Sequence, residues 1–244
     1  MVIQKVIIEN YKSFKGRFEL ALDPETNIIV GDNEAGKSSI LECINIAVTG
    51  SIGNKYISRE LNPFYFNQDV VKEYLEALQS GGAKLPLPEI TIELYLEDVD
   101  ANADFKGINN LLASDCPGFR FKIKFNPIFS SEYEQYISDP SVIRNIPIEY
   151  YHVEWHSFKG TAITPKSIPL SVISIDTSLG EQSFTGTDKY VGKIINNLLN
   201  VNERAGIKLN YRNLKEQFEQ NDSIKAINEK LKEYSDQITS KSLT

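Results

Sequence analysis

The sequence predicts a mixed α/β fold, and three observations carry that prediction. Residues 27–50 join a short β-branched run to an amphipathic helix through a glycine-bounded loop. Period-two stretches recur between residues 89 and 175. From residue 187 to the end, apolar residues fall at helical spacing in a polar background.

The chain opens on Val2–Asn10, VIQKVIIEN, whose clustered β-branched residues read as a first strand. A polar link, Asn10–Gly16, leads to a second strand over Phe18–Leu22, which the turn chemistry of Asp23-Pro24-Glu25 closes. Ile28, Ile29 and Val30 then read as a short buried strand directly before the loop. Two strands thus precede the loop's own strand, whereas in many phosphate-loop proteins the loop follows the first.

The loop, Gly31-Asp32-Asn33-Glu34-Ala35-Gly36-Lys37-Ser38, satisfies G-x-x-x-x-G-K-[ST] in full. Its glycines let the backbone curl so that successive N–H groups face phosphate oxygens. The helix that begins near Lys37 adds the positive end of its dipole. Lys37 is placed to reach the β- and γ-phosphates, and the Ser38 hydroxyl to ligate Mg²⁺. Average residue usage gives about one chance match per hundred chains of this length, so the pattern reads as a nucleoside triphosphate site rather than a turn. Downstream, Ile40, Leu41, Ile44, Ala47 and Val48 share one predicted helix face, and Gly50 can end the helix.

Beyond the helix, Asn62-Pro63 introduces the aromatic run Phe64-Tyr65-Phe66, which would either stack on a base or form satellite core beneath a loop. Val70, Val71, Tyr74, Leu75 and Leu78 make a helical stripe that stops at Ser80-Gly81-Gly82. The period then changes to two. Glu89–Glu97, Phe119–Phe125, Ile148–Trp155 and Leu170–Ile175 alternate as half-buried strands of an antiparallel meander, with a short helix predicted over Ile108–Ala113.

Within these strands, Arg120, Lys122 and Lys124 share one face, either a phosphate-tracking surface or a solvated one. His152, Glu154 and His156 also share a face, as metal ligands on a strand would. They lack a further ligand at recognisable spacing, which favours a polar hairpin face.

The C-terminal stripe is Tyr190, Ile194, Ile195, Leu198 and Leu199, continued intermittently by Leu209, Leu214, Phe218, Ile224, Ile227, Leu231 and Ile238. It reads as a helical arm or the start of a coiled coil, or as an amphipathic bundle.

Composition bounds the rest. With 41% hydrophobic and 24% charged residues, the 244-residue chain has the make-up of a globular protein with ample core. A formal charge of −7 gives no chain-wide electrostatic footprint for nucleic acid. Cys43 and Cys116 stand in no metal or redox spacing. No apolar run reaches membrane-spanning length and no signal-peptide pattern opens the chain, so a cytoplasmic location and no membrane partner are expected.

The run I-x-N-Y-K-S-F, a second strand, and then IIVGDNEAGKSSILE resembles the N-terminus of ABC-type ATPases of the RecF/SMC group. Within that group it looks most like the ATPase part of the OLD-family (overcoming lysogenisation defect) nucleases. The matching features are Lys12, Asn33 and Ala35, and the doubled Ser38-Ser39 followed by Ile40-Leu41-Glu42.

The resemblance implies an α/β, P-loop ABC-type ATPase lobe over residues 1–186, its loop at 31–39 and an antiparallel β subdomain over about 86–176, then a helical arm or dimerisation insertion over 187–244. It implies ATP and Mg²⁺ as cofactors, with Lys37 as the catalytic group and Ser38 on the metal. Lys12, Gly31, Asn33, Glu34, Ala35, Gly36, Lys37, Ser38 and Ser39 would contact the nucleotide.

In the family, hydrolysis needs a second lobe with signature and Walker B, supplied across a head-to-head homodimer. The family also couples nucleotide state to DNA binding or cleavage, with a nuclease domain elsewhere on the polypeptide. This chain departs from the pattern at one place. Asp176 ends a strand as a Walker B aspartate would, yet Thr177 follows it, and the serine-glycine run Ser178–Gln182 comes after rather than before. Two alternatives stand beside the family reading: a nucleotide-switched subunit working through a partner protein, and a self-contained NTPase using Asp176.

Overall fold

Among the described residues, six strands of the N-terminal region form one antiparallel sheet, and a two-stranded hairpin stands apart from it. The computed structural model describes residues 2–52, 55–81, 85–172, 198–221, 224–225 and 230. The chain divides into two compact units, Met1–Ile173 and Ser174–Thr244.

The first unit runs β1 (Ile3–Glu9), β2 (Arg17–Ala21), α1 (Lys37–Thr49), β3 (Ser51–Ile52), β4 (Lys55–Tyr56), α2 (Ile57–Glu60), α3 (Gln68–Gln79), β5 (Ile90–Leu96), β6 (Lys106–Gly107), β7 (Cys116–Phe125), α4 (Ser130–Tyr136) and β8 (Tyr151–Ser157). The sheet order is β2-β1-β5-β7, with β7 pairing β8 and, at its start, the short β6. The two N-terminal strands and the later ones therefore share a single sheet, joined where Ile8 faces Ile92 across β1 and β5.

The sheet's two faces differ in chemistry, as period-two strands require. Val6 and Ile8, Ile90, Ile92 and Leu94, and Phe119, Phe121 and Ile123 form the core face, and α1 lays Ile40, Cys43, Ile46 and Ala47 on it. Tyr74 of α3 and Tyr133 of α4 also belong to this core, their hydroxyls hydrogen-bonded to each other. Trp155 on β8 pins the helix further by donating its indole N–H to the Ala47 carbonyl at 2.9 Å.

On the opposite face Ile7, Tyr95 and Phe158 make a smaller cluster beside a row of charged residues. Central β5 is buried on both sides, not half-buried as its alternation predicts, because residues 108–112 fold over that second face. Glu93 there is fully buried. It accepts from Arg120 Nε at 2.7 Å, from the Tyr95 hydroxyl at 2.5 Å and from the Leu111 N–H at 2.9 Å, so its charge is compensated.

Five local expectations are corrected. Ile28–Val30 lies outside any strand, with Ile28 and Val30 each 83% exposed. Their β-branched shape suits a sheet, but among the described residues no strand lies alongside to pair with them. The α1 stripe is rotated from the predicted one: Cys43 and Ile46 turn inward, while Leu41 is 62% exposed.

Residues 108–113 form turns instead of a helix, since the Asn110 side chain donates to Gly107 and Ser114 carbonyls and accepts from the Leu112 and Ser114 N–H groups. Such side-chain bonds offer the backbone an alternative to a helical ladder. Ile148–Tyr150 is a 3₁₀ turn that precedes β8, and 170–172 is irregular rather than strand.

In the second unit the helix Val201–Glu219 opens with a capping box between Asn200 and Glu203. Ile207, Tyr211, Leu214 and Phe218 on it are exposed. Asp176, the Ser178–Gln182 run and the Tyr190–Ile195 part of the stripe lie outside the described residues.

Removing Arg120 would leave Glu93 with less compensation in a dry setting. We expect Arg120→Ala to lower unfolding free energy by about 3 kcal/mol, measured by urea denaturation against wild type.

Candidate functional site

The loop owes its position to α1. Gly36, the residue that caps the helix, adopts φ 87°, a left-handed conformation that suits glycine. A Cβ there would come within 2.8 Å of both Phe14 Cζ and Ser13 Oγ, so the N-terminal link packs directly on the loop-to-helix junction. Glu34 is also left-handed, at φ 68°, and the two residues together bend the chain back on itself.

No side chain caps α1, and its ladder begins with the Ile40 N–H on the Gly36 carbonyl at 3.0 Å. The N–H groups of Lys37, Ser38 and Ser39 therefore have no intrahelical partner, which is the arrangement that receives an anion.

Gly31, Asn33, Glu34, Ala35 and Ser38 are exposed, Gly36 is buried, and Lys37 and Ser39 are half-buried. Lys37 folds back over the loop, its Nζ donating to the Gly31 carbonyl at 2.7 Å and the Asp32 carbonyl at 2.6 Å. Among the described residues the Ser38 hydroxyl has no hydrogen-bond partner. The donor set fits a polyphosphate with a divalent cation: uncapped N–H groups, one ammonium, and one exposed hydroxyl at the second helical position.

Lys12 lies beside this loop through its neighbours Ser13 and Phe14. It too is left-handed, φ 47°, and both of its backbone groups are fixed: its N–H to the Tyr65 carbonyl at 2.9 Å, its carbonyl by Asn67 Nδ2 at 2.7 Å. Its ammonium bonds the Glu42 carboxylate on α1 and sits 5.4 Å and 5.7 Å from the ring centroids of Tyr11 and Tyr65, which stack on one another. Sequence spacing could not bring residues 11, 12, 42 and 65 together. Glu42 stood in the sequence only as one letter of the motif.

Of the aromatic run, Phe66 is core, Tyr65 is half-buried over Lys12, and Phe64 is exposed. Cys43 is buried, and burial pushes its thiol well up, which suits a packing residue rather than a nucleophile.

The basic strand positions do share a face, and each meets an acid. Arg120 pairs with Glu93, Lys122 with Glu89, and Lys124 with Glu154, the last two at 2.7 Å. The face is thus neutralised from within. Glu154 also stands between His152 and His156, at 3.5 Å and 3.9 Å. Among the described residues no group of His, Cys, Asp or Glu is arranged to hold a metal ion.

Residues 5–243 match the family model described as AAA domain. This chain belongs to that family. As an AAA domain it is an ATP-binding ATPase domain, which agrees with the loop geometry and with the predicted P-loop α/β lobe. Its sequence matches no curated protein.

Among solved structures, one from work on ATP-driven dimerization and DNA-stimulated activation of SMC ATPases aligns over 84% of this chain and 96% of that chain. Its sequence identity is 13% and its TM-score 0.40, a superposition too loose to match residue to residue. No helix among the described residues of the AAA domain is long and apolar enough to cross a membrane.

Two outcomes are expected. Gly36→Ala should cost about 1–3 kcal/mol through left-handed strain and force Phe14 aside, read as a lowered thermal midpoint. For Glu154, partial burial pushes the carboxyl up, but the Lys124 hydrogen bond and charge, with both histidines, outweigh it and hold the carboxyl below its usual range. Its stabilisation is then complete above the unfolded value of about 4.3 and disappears as pH falls through the lower folded value. Lys124→Met should lose this stabilisation, about 0.5 kcal/mol for so exposed a pair, at pH 7 and not at pH 2, in paired denaturation curves.

Proposed function

We propose that this AAA domain binds ATP and Mg²⁺ at residues 31–39 and serves as one lobe of an ATPase of the OLD/RecF/SMC kind, in which nucleotide state is coupled to action on DNA. The observation that carries the nucleotide assignment is the uncapped, glycine-initiated start of α1 with Lys37 folded over the loop. In this reading the N–H groups from Asn33 to Ser39 and the Lys37 ammonium hold the phosphates, the Ser38 hydroxyl holds the metal, and Lys12 stands beside the phosphates. The metal, when bound, neutralises phosphate charge and orients the terminal phosphate.

A second observation supports an incomplete site. Ile28 and Val30, directly before the loop, expose β-branched side chains from a segment outside any strand. A neighbouring strand would cover them, and a second lobe that brings one would also bring the acidic residues that hydrolysis requires. Dimerisation through the heads or through the exposed apolar positions of Val201–Glu219 belongs to the same reading. DNA contact, in this reading, avoids the face of Arg120, Lys122 and Lys124, where acids already occupy the cations.

The test is ATP binding and steady-state hydrolysis by the 244-residue chain, wild type beside Lys37→Ala, with and without duplex DNA. Loss of a charge-assisted contact predicts about ten- to hundredfold weaker ATP binding in Lys37→Ala, with negligible turnover by the isolated wild-type chain. Rapid turnover by the chain as a monomer would overturn the two-lobe reading.

A further inference from the structure

The sheet ends on β2, which among the described residues has a neighbouring strand on one side only. Its register with β1 sets Leu20 opposite Val6 and Glu19 opposite Ile7. The Leu22 N–H donates to the Gln4 carbonyl and the Asn10 N–H to the Gly16 carbonyl, so the even-numbered residues of β2 turn their backbone groups toward β1. Arg17, Glu19 and Ala21 therefore point their N–H and C=O groups outward. Among the described residues no hydrogen bond reaches those groups.

The edge closes at Asp23. There the Asn27 side chain takes the place of a strand, accepting from the Asp23 N–H and donating to the Asp23 carbonyl, both at 2.8 Å. Between Gly16, left-handed at φ 63°, and Asp23 the edge is open. β2 holds neither the lysine nor the proline that commonly guards a natural edge. It carries one cation and one anion on the same face: Arg17 pairs with Glu19 at 2.7 Å, and their side chains stay 35% and 40% exposed. On the other face Phe18 and Leu20 are only half-buried against the core.

We propose that β2 pairs antiparallel with β2 of a second copy of this chain, about a two-fold axis at Phe18, so that the sheet continues across the dimer. Outward groups meet only when odd-numbered residues face odd-numbered ones. With Phe18 opposite its own copy, Arg17 faces the partner's Glu19, and Glu19 faces the partner's Arg17. Each of these pairs exchanges two backbone hydrogen bonds, and the four side chains alternate in sign. The two half-buried Phe18 rings meet on the core face. Other centres do worse. Centring on Arg17 or Glu19 sets that charge against its own copy, and centring on Leu20 or Ala21 runs the ladder into Asp23, which Asn27 already holds.

A ladder this short makes a weak, concentration-dependent dimer. It requires no nucleotide, so Lys37→Ala should self-associate as wild type does, whether or not it binds ATP. Charge reversal gives the register a signature. Arg17→Glu places four acids at the seam and Glu19→Arg four bases, so each should weaken self-association about tenfold. Mixed in equal amounts, the two variants should associate at least as tightly as wild type, since acids on one strand then face bases on the other. Glu19→Gln, which adds no repulsion, should weaken the dimer severalfold, whereas a seam centred on Glu19 would tighten.

Sedimentation velocity of the nucleotide-free 244-residue chain, in a concentration series at low salt, reads each of these. Thermal midpoints establish that the charge-reversed variants are folded, and Glu19→Gln decides the matter if they are not. A wild type that stays monomeric throughout the series would overturn the proposal. So would a Glu19→Gln chain that associates as tightly as wild type, folded reversal variants that each self-associate undiminished, or a mixture of them that stays apart.

Discussion

Burial of Ile40, Cys43, Ile46 and Ala47 against the face formed by β1, β5 and β7 seats helix α1, and the loop at 31–36 is placed by the helix it begins. The helix cannot rotate without lifting these side chains from a core that also holds Phe119, Phe121 and Ile123. Trp155 adds a directional restraint at the helix's far end through the Ala47 carbonyl. A rigidly held helix presents its uncapped N-terminus at a fixed point. The loop itself can then remain exposed and still be pre-organised.

The N-terminal link is the second support of that junction. Phe14 is in the core, packs on Phe18 of β2 and presses on Gly36. Its neighbour Lys12 is fixed by backbone bonds to Tyr65 and Asn67, the residue that also caps α3. Segments far apart in sequence thus meet at one place, and each restrains a different part of the loop's surroundings. Left-handed backbone at Lys12, Glu34 and Gly36 is the local cost of bringing them together.

Charge is handled differently on the two sides of the sheet. Toward α1 the strands are apolar. On the other side acids and bases alternate between strands, so that Glu93, Arg120, Lys122 and Glu154 all find partners across the ladder. A face that satisfies itself in this way is not built to track a phosphate backbone. Lys37 in the loop and Lys12 on the link that packs against it are also engaged, but by groups that an anion can displace: two carbonyls and one carboxylate.

The sequence by itself determined the α/β class, most of the strands and the helix at α3, because each follows from periodicity within a few residues of chain. It also located the loop, since glycines, lysine and serine at fixed spacing are a local requirement of phosphate binding. Where the sequence misled, a distant segment decided the outcome. Ile28–Val30 has strand composition and no strand to pair with among the described residues. Leu41 has the right spacing to be buried, but the sheet beneath α1 meets Cys43 instead.

The Ile108–Ala113 pattern yielded to Asn110, whose side chain took over the local backbone bonds. Glu93 reads as the solvated half of an alternating strand, and only the closing of residues 108–112 over β5 made it a buried acid. The contact of Lys12 with Glu42, Tyr11 and Tyr65 was decided wholly by tertiary structure. No periodicity or spacing encodes it, because it exists only once α1, the N-terminal link and the turn before α3 have packed on one core.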